Sequence, residues 1–99
     1  MADSKKRAPS LNSLRRQIDK IDDRIHDLLM RRIDVARTIG EQKSQSEGVP
    51  YRPAREAQIM RRLAARHDGL FPFPVAVRIW REIISASLGV ERKFVVSVY

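Results

Sequence analysis

The stretch between Leu11 and Ile39 places apolar residues on one helical face with a single interruption. These residues recur in steps of three and four, which is the period of an α-helix, and neither proline nor glycine occurs before Gly40. They are Leu11, Leu14, Ile18, Ile21, Ile25, Leu28, Val35 and Ile39. We therefore predict one helix from about Leu11 to about Ser44, roughly 50 Å long at 1.5 Å per residue.

A helix of this length is too long for the domain that the chain can build alone. The 99 residues are enough for one domain, and such a domain has a radius of gyration of only about 13 Å. The apolar face therefore extends beyond any core of a single chain, and the simplest partner for it is a second copy. We predict a homodimer.

Two shorter helices follow the long one, which makes the predicted fold all-α with three helices per chain. The segment SQSEGVPYRP breaks the first pattern, and the second helix runs from Pro53 to about Arg66. A proline in the first turn is harmless because its missing N–H has no partner there. The connector HDGLFPFP precedes a third helix from about Pro74 to about Glu91. The apolar face of the second helix contains Ile59, Met60 and Leu63, and the stripe of the third contains Ala76, Trp80, Ile83, Ser87 and Glu91.

The two ends of the chain have different compositions from the predicted helical domain, residues 11–91. Residues 1–10 contain basic residues with no apolar stretch behind them, so we predict a disordered leader rather than a secretory signal. Residues 92–99 form a tail that includes KFVVSVY, which has strand-like composition. This tail would suit the start of a following domain.

The charge and composition exclude several classes of function. Without cysteine there is no disulfide framework and no thiolate metal site, and a cytoplasmic protein is the natural interpretation. No apolar run approaches the roughly 20 residues that span a bilayer. The net charge of +8 favours an anionic partner. In RRQIDKIDDRIHD, however, the signs alternate as on a solvated helix face, whereas a nucleic-acid module groups its basic residues and adds aromatic ones. We expect a small anionic ligand, and neither nucleic acid nor a membrane.

Polar residues interrupt the apolar faces where a core would call for apolar ones. Arg32 occupies a position on the apolar face, or seam, of the first predicted helix. Lys43 comes eleven residues later, within about 20° of the same face and about 16 Å from Arg32 along the helix axis. Buried cations are unfavourable unless they are paired. Two explanations stand: a structural network in which Glu56 and Glu91 satisfy them, or a cavity for a small polyanion. No metal-ligand cluster, glycine-rich phosphate loop or nucleophile–base pair is visible.

Three segments together resemble one enzyme family. LRRQIDKIDDRIHDLLMRR, then GEQK, then YRPAREAQIMRRL are similar in order and spacing to the all-helical, AroQ-type chorismate mutases. The resemblance covers about Leu11 to Glu91. It implies an intertwined homodimer and an isomerase of the shikimate pathway, which converts chorismate to prephenate for phenylalanine and tyrosine biosynthesis without cofactor or metal.

The resemblance also implies a set of site residues. By position, the catalytic residues are Arg32, Lys43 and Glu91, and the substrate-binding residues are these three with Arg15, Arg52, Arg55, Glu56 and Ser87. Arg15 would reach into the partner's site. Because Arg15 and Lys43 are 28 residues apart, or roughly 42 Å along one helix, a single copy of that helix cannot bring both to one small ligand.

In the implied mechanism, arginines clamp the two carboxylates of the substrate and Glu56 accepts a hydrogen bond from the ring hydroxyl. Lys43 and Glu91 donate to the ether oxygen. Two positions depart from the common pattern: Arg52 stands where aspartate is frequent, and Glu91 stands where many members have glutamine. Glutamate can donate only when it is protonated, so we expect activity to fall as pH rises.

Three alternatives remain at this point. An isochorismate-pyruvate lyase has the same fold and a similar cationic pocket, and the loop that contains Arg52 bears on this choice. A non-catalytic regulatory helical dimer would keep the fold without turnover. A basic nucleic-acid binder would show steeply salt-dependent binding to DNA.

Overall fold

The computed structural model describes residues 8–46 and 53–96, and all regular structure in these ranges is helical. Helix α1 spans Leu11–Ser46, α2 spans Pro53–Arg66 and α3 spans Phe73–Val96. The prediction of an all-α fold with one very long first helix is confirmed. By its internal contacts the chain divides into two units, residues 1–30 and residues 31–99.

The first unit contains the start of α1. Ser10 caps the helix, because its Oγ accepts a hydrogen bond from the backbone N–H of Ser13 at 3.0 Å and its carbonyl accepts from Leu14 at 3.0 Å. The six apolar seam residues between Leu11 and Leu28 are 41% to 61% exposed in the single chain. A helix with such a stripe gains its stability by burying it, and among residues 8–46 and 53–96 this face has no partner that buries it.

The second unit has a small core to which all three helices contribute. Its buried apolar residues are Ala36 of α1, Leu63 of α2, and Ala76 and Ile84 of α3. Four of the other residues predicted on the apolar faces, Ile59, Met60, Trp80 and Ile83, are half-buried. The helical periodicity of α2 and α3 therefore identified the correct faces.

Backbone-directed hydrogen bonds close the connector between α2 and α3. The His67 ring donates from Nε2 to the carbonyl oxygen of Phe71 at 2.7 Å, and it lies 5.1 Å from the Phe73 ring, centroid to centroid. Gly69 has φ = 97°, a left-handed conformation that favours glycine, and its N–H donates to Asp68 Oδ1 at 2.8 Å. This turn sets the start of α3 at Phe73, one residue before the predicted Pro74.

Helix α3 ends at Val96, five residues beyond its predicted end at Glu91. The strand-like interpretation of KFVVSVY is therefore wrong for residues 93–96. The Phe94 ring lies beneath the Arg37 guanidinium, with 5.8 Å from Cζ to the ring centroid, so a contact with α1 holds this segment and outweighs its β-propensity. Residues 97–99, like residues 1–7 of the predicted leader, lie outside the described part of the chain.

None of the described helices combines the length and the apolarity needed to cross a membrane.

Candidate functional site

A cavity of about 370 Å³ lies within the second unit, and all three helices line it. This volume is in the range of small-molecule sites, about 300 to 1,000 Å³. Its polar residues are Arg32, Lys43, Arg55, Glu56, Ser87 and Glu91, and its apolar walls are Val35, Ala36, Ile39, Ile59, Ile84 and Leu88. The polar interruptions of three separate helices thus face one space.

Arg32 is held at the cavity by a buried hydroxyl. Its Nη1 donates to Ser87 Oγ, and the same hydroxyl donates to the carbonyl oxygen of Ile83 at 2.9 Å, one turn earlier in α3. Ser87 is only 7% exposed. The hydroxyl of Ser87 thus donates its single proton to Ile83 and accepts a hydrogen bond from Arg32. The buried hydroxyl is therefore satisfied, and it fixes the orientation of the Arg32 guanidinium.

Lys43 and Glu91 form an ion pair across the same two helices. Lys43 Nζ lies 3.0 Å from Glu91 Oε1, and the side chains are 16% and 13% exposed. The structural-network hypothesis is therefore right about this pair. The same hypothesis is wrong about Arg32, because Arg32 donates to Ser87 and does not pair with Glu56.

Helices α1 and α3 are in direct backbone contact at the ion pair. Gly40 is buried in α1, and a Cβ placed on it would lie 2.6 Å from the carbonyl oxygen of Glu91 and 3.0 Å from its Cα. The two helices approach this closely because position 40 carries only hydrogen.

The first turn of α2 supplies two further polar groups. Arg55 is exposed at the cavity's edge, where its Nη1 donates to Gln58 Oε1 at 3.1 Å. Glu56 is half-buried, and its place in the first turn suits the positive end of the helix dipole.

The cavity is suited chemically to a small anion with apolar parts. Three cations face two carboxylates, and one of these carboxylates is already paired with Lys43. Guanidinium groups bind carboxylates in bidentate fashion, and apolar walls strengthen such contacts by excluding water. Within residues 8–46 and 53–96, no group of three or more histidine or acidic side chains is arranged to hold a metal ion.

Two of the predicted site residues are not among those that line the cavity. Arg15 is an exposed residue of the first unit. Arg52 lies outside the described residues. The structure thus brings six of the eight predicted residues to one cavity.

Three walls of the cavity, Ala36, Ile84 and Leu88, and one contact were not predicted from the sequence. Ile84 and Leu88 follow Trp80 at steps of four, which is a helical row that could have identified them. The contact of Gly40 could have been inferred from its position, because a glycine in the interior of a long helix is unfavourable unless packing requires it.

Comparison with known proteins identifies the family. The family model described as chorismate mutase type II matches residues 14–92. The chain belongs to the chorismate mutase type II family. This match confirms the family prediction.

Curated relatives carry the same family segment within longer proteins. A bifunctional chorismate mutase/prephenate dehydratase of Aquifex aeolicus is 40% identical over 91 residues, which is 88% of this chain and 25% of the relative. The protein with the same description from Neisseria gonorrhoeae is 39% identical over 83 residues, or 84% of this chain and 22% of the relative. One from Stutzerimonas stutzeri is 34% identical over 90 residues. The chain spans about a quarter of the length of these curated relatives.

Proposed function

We propose that this chain is a chorismate mutase, an isomerase that rearranges chorismate to prephenate in phenylalanine and tyrosine biosynthesis. One observation carries the proposal: Arg32, Lys43 and Arg55, from two different helices, meet in one apolar-walled cavity of a chain that belongs to this family. Chorismate is a dianion whose carbon ring has apolar faces, so it matches both the charge and the walls of this cavity.

The rearrangement is pericyclic, with a carbon–oxygen bond breaking as a carbon–carbon bond forms. No atom is attacked by the protein and no proton has to move, so the reaction requires no nucleophile, metal or cofactor. The protein accelerates it by holding the flexible dianion in a compact chair and by stabilising the charge that grows on the ether oxygen. Arg32, held by Ser87, binds a carboxylate, and Arg55 assists at the cavity's edge.

Lys43 and Glu91 stabilise the negative charge that grows on the ether oxygen. In the structure these two side chains pair with each other, so both already point to one place. When substrate is bound, Lys43 donates to the ether oxygen and a protonated Glu91 supplies the second donor. Glu56 accepts the hydrogen bond of the ring hydroxyl.

We propose further that the active form is an intertwined homodimer. The support is the exposed apolar stripe between Leu11 and Leu28, because contiguous apolar patches of this kind mark interfaces. Arg15 lies on the same stretch, and in the proposed dimer it enters the partner's cavity and binds the second carboxylate. Arg52 is assigned to substrate binding by its position just before α2. A cytoplasmic location, the leader at residues 1–10 and the tail at residues 92–99 remain predictions.

The proposal is tested by mixing purified protein with chorismate. We expect chorismate absorbance to fall and prephenate to be identified as the product by mass spectrometry. A parallel reaction with isochorismate measures pyruvate release. Release of pyruvate from isochorismate without formation of prephenate from chorismate would identify the chain as an isochorismate-pyruvate lyase. If neither substrate is converted, the non-catalytic helical dimer is the remaining interpretation.

Glu91→Gln is expected to flatten the pH profile of kcat. In its proposed role Glu91 can donate to the ether oxygen only when it carries a proton, so we expect the wild-type kcat to fall as pH rises. Glutamine keeps its donor at every pH. The measurement is kcat from pH 5 to 9 for both proteins, and equal slopes would remove Glu91 from the ether oxygen.

Arg32→Leu separates an enzyme from a scaffold. In a scaffold, leucine would raise the free energy of unfolding because a polar group leaves an apolar seam, and Ser87 would still donate to Ile83. In an enzyme, kcat/KM falls roughly a hundredfold or more with the loss of a carboxylate clamp. Arg31→Leu, at the exposed neighbouring position, is the matched control and should keep its activity. Thermal unfolding and turnover of both variants make the comparison.

A further inference from the structure

We propose that Gly40 is a positioning residue of this site. Because Gly40 has no side chain, α1 packs directly against the backbone of Glu91, and this contact sets the geometry of the Lys43–Glu91 pair. The inference rests on the proposed function, since it assigns Gly40 a part in placing the two groups that face the ether oxygen.

The contact leaves no room for a side chain. A Cβ on Gly40 would lie 2.6 Å from the Glu91 carbonyl oxygen, 3.0 Å from Cα and 3.2 Å from the carbonyl carbon. Even close C···O contacts in proteins are about 3.3 to 3.6 Å. All three atoms belong to helix backbone, so they cannot rotate away as a side chain would. An added methyl group must therefore move one helix away from the other.

The ion pair spans this same contact. Lys43 lies three residues after Gly40, on an adjacent face of α1, and the side chain of Glu91 starts from the Cα that Gly40 touches. A shift between the helices at this point therefore changes the 3.0 Å separation of Lys43 Nζ and Glu91 Oε1. A misplacement of about 1 Å is enough to lower a rate about a hundredfold.

A second glycine in the second unit shows that this contact is specific. Gly89 lies in α3, two residues before Glu91, and a Cβ placed on it would meet nothing within 4 Å. Helix propensity disfavours both glycines equally. Only at position 40 does packing against another helix require one, and that packing is against the residue that pairs with Lys43.

The test compares Gly40→Ala with Gly89→Ala. We expect Gly40→Ala to lower kcat at least tenfold while KM changes less than threefold. The Lys43–Glu91 pair acts on the transition state, whereas Arg32, which holds the carboxylate, and Ser87, which holds Arg32, lie elsewhere along both helices. Gly89→Ala should keep the kcat and KM of the wild type. Rates are normalised to folded protein by circular dichroism, and a wild-type kcat for Gly40→Ala would overturn the proposal.

A double variant tests whether Gly40 acts through the pair. In a Glu91→Ala background the side chain to be positioned is gone, so Gly40→Ala should reduce kcat by a smaller factor than it does in the wild type. If the two factors simply multiply, Gly40 acts elsewhere and the proposal fails.

A readout without substrate separates this inference from the proposed function. The coupling of Lys43 and Glu91 is measured by denaturant unfolding of Lys43→Met, Glu91→Gln and the double variant, with and without Gly40→Ala. We expect Gly40→Ala to remove at least half of the coupling. Unchanged coupling overturns the positioning role even if the wild type converts chorismate, and reduced coupling supports it even if the wild type does not.

Should Gly40→Ala not fold, Gly89→Ala is added to it, because alanine in a helix interior stabilises the helix. If the combined variant also fails to fold while Gly89→Ala alone folds, Gly40 serves folding as a whole. The proposal is then overturned.

Discussion

Lys43→Met is expected to lower kcat at least a hundredfold, on the order of what removing one transition-state donor costs in other enzymes. Methionine fills nearly the same space as the lysine stem, so the walls of the cavity keep their shape. The ether oxygen then loses its permanent cation, and Glu91 cannot replace that charge because it is neutral when it donates. KM should change less than kcat, since Lys43 acts mainly on the transition state. Steady-state kinetics with chorismate measure both constants.

The matched control for this variant is Lys93→Met. Lys93 is exposed near the end of α3 and does not line the cavity, so the same change there should leave kcat intact. The free energy of unfolding of Lys43→Met should fall, because the pair is largely buried and Glu91 loses this partner, so kcat is normalised to folded protein. A Lys43→Met protein with wild-type kcat would refute the assignment of Lys43 to the ether oxygen.

Mixing two inactive proteins is expected to restore activity. Arg15→Ala should inactivate each site through its partner, and Lys43→Ala should inactivate each site directly. In a mixed dimer, one site combines the intact Lys43 of one chain with the intact Arg15 of the other, while the second site has both lesions. When the chains are unfolded together and refolded in equal amounts, half of the dimers are mixed, so about a quarter of wild-type activity should return.

The control is a mixture of Arg32→Ala and Lys43→Ala. Both lesions lie in the part of the site that one chain supplies, so neither site of a mixed dimer is complete and no activity should return. Equal recovery in the two mixtures, or none in either, would contradict the assignment of Arg15 to the partner's site. Size-exclusion chromatography of each mixture checks that dimers have formed.

The periodicity of the sequence was enough to predict three helices and the faces they bury. The steps of three and four around Leu63 and Ala76 identified residues that the structure buries. The end of α3 was missed because FVV has strand propensity in isolation, whereas a contact with Arg37, distant in sequence, holds Phe94 in a helix. Propensity is a local property, and such a contact is not.

The candidate site could be predicted for a related reason. A charged residue at a seam position, such as Arg32, is unfavourable unless something pairs with it, so the interruption itself indicated a site. Its partner could not be inferred from spacing. The structure pairs Arg32 with Ser87, although Glu56 has the opposite charge, because the register between α1 and α3 decides which groups meet.

The hydrogen bond from Ser87 to Ile83 limits what this serine can offer an incoming carboxylate. Its only proton is committed to the carbonyl oxygen of its own helix, and what remains toward the cavity is an oxygen that can only accept. The hydroxyl therefore has no proton to donate to an incoming anion. Its contribution is to hold the Arg32 guanidinium in the orientation that binds the anion. Ser87 thus supports Arg32, and of these two side chains only the arginine binds the substrate carboxylate.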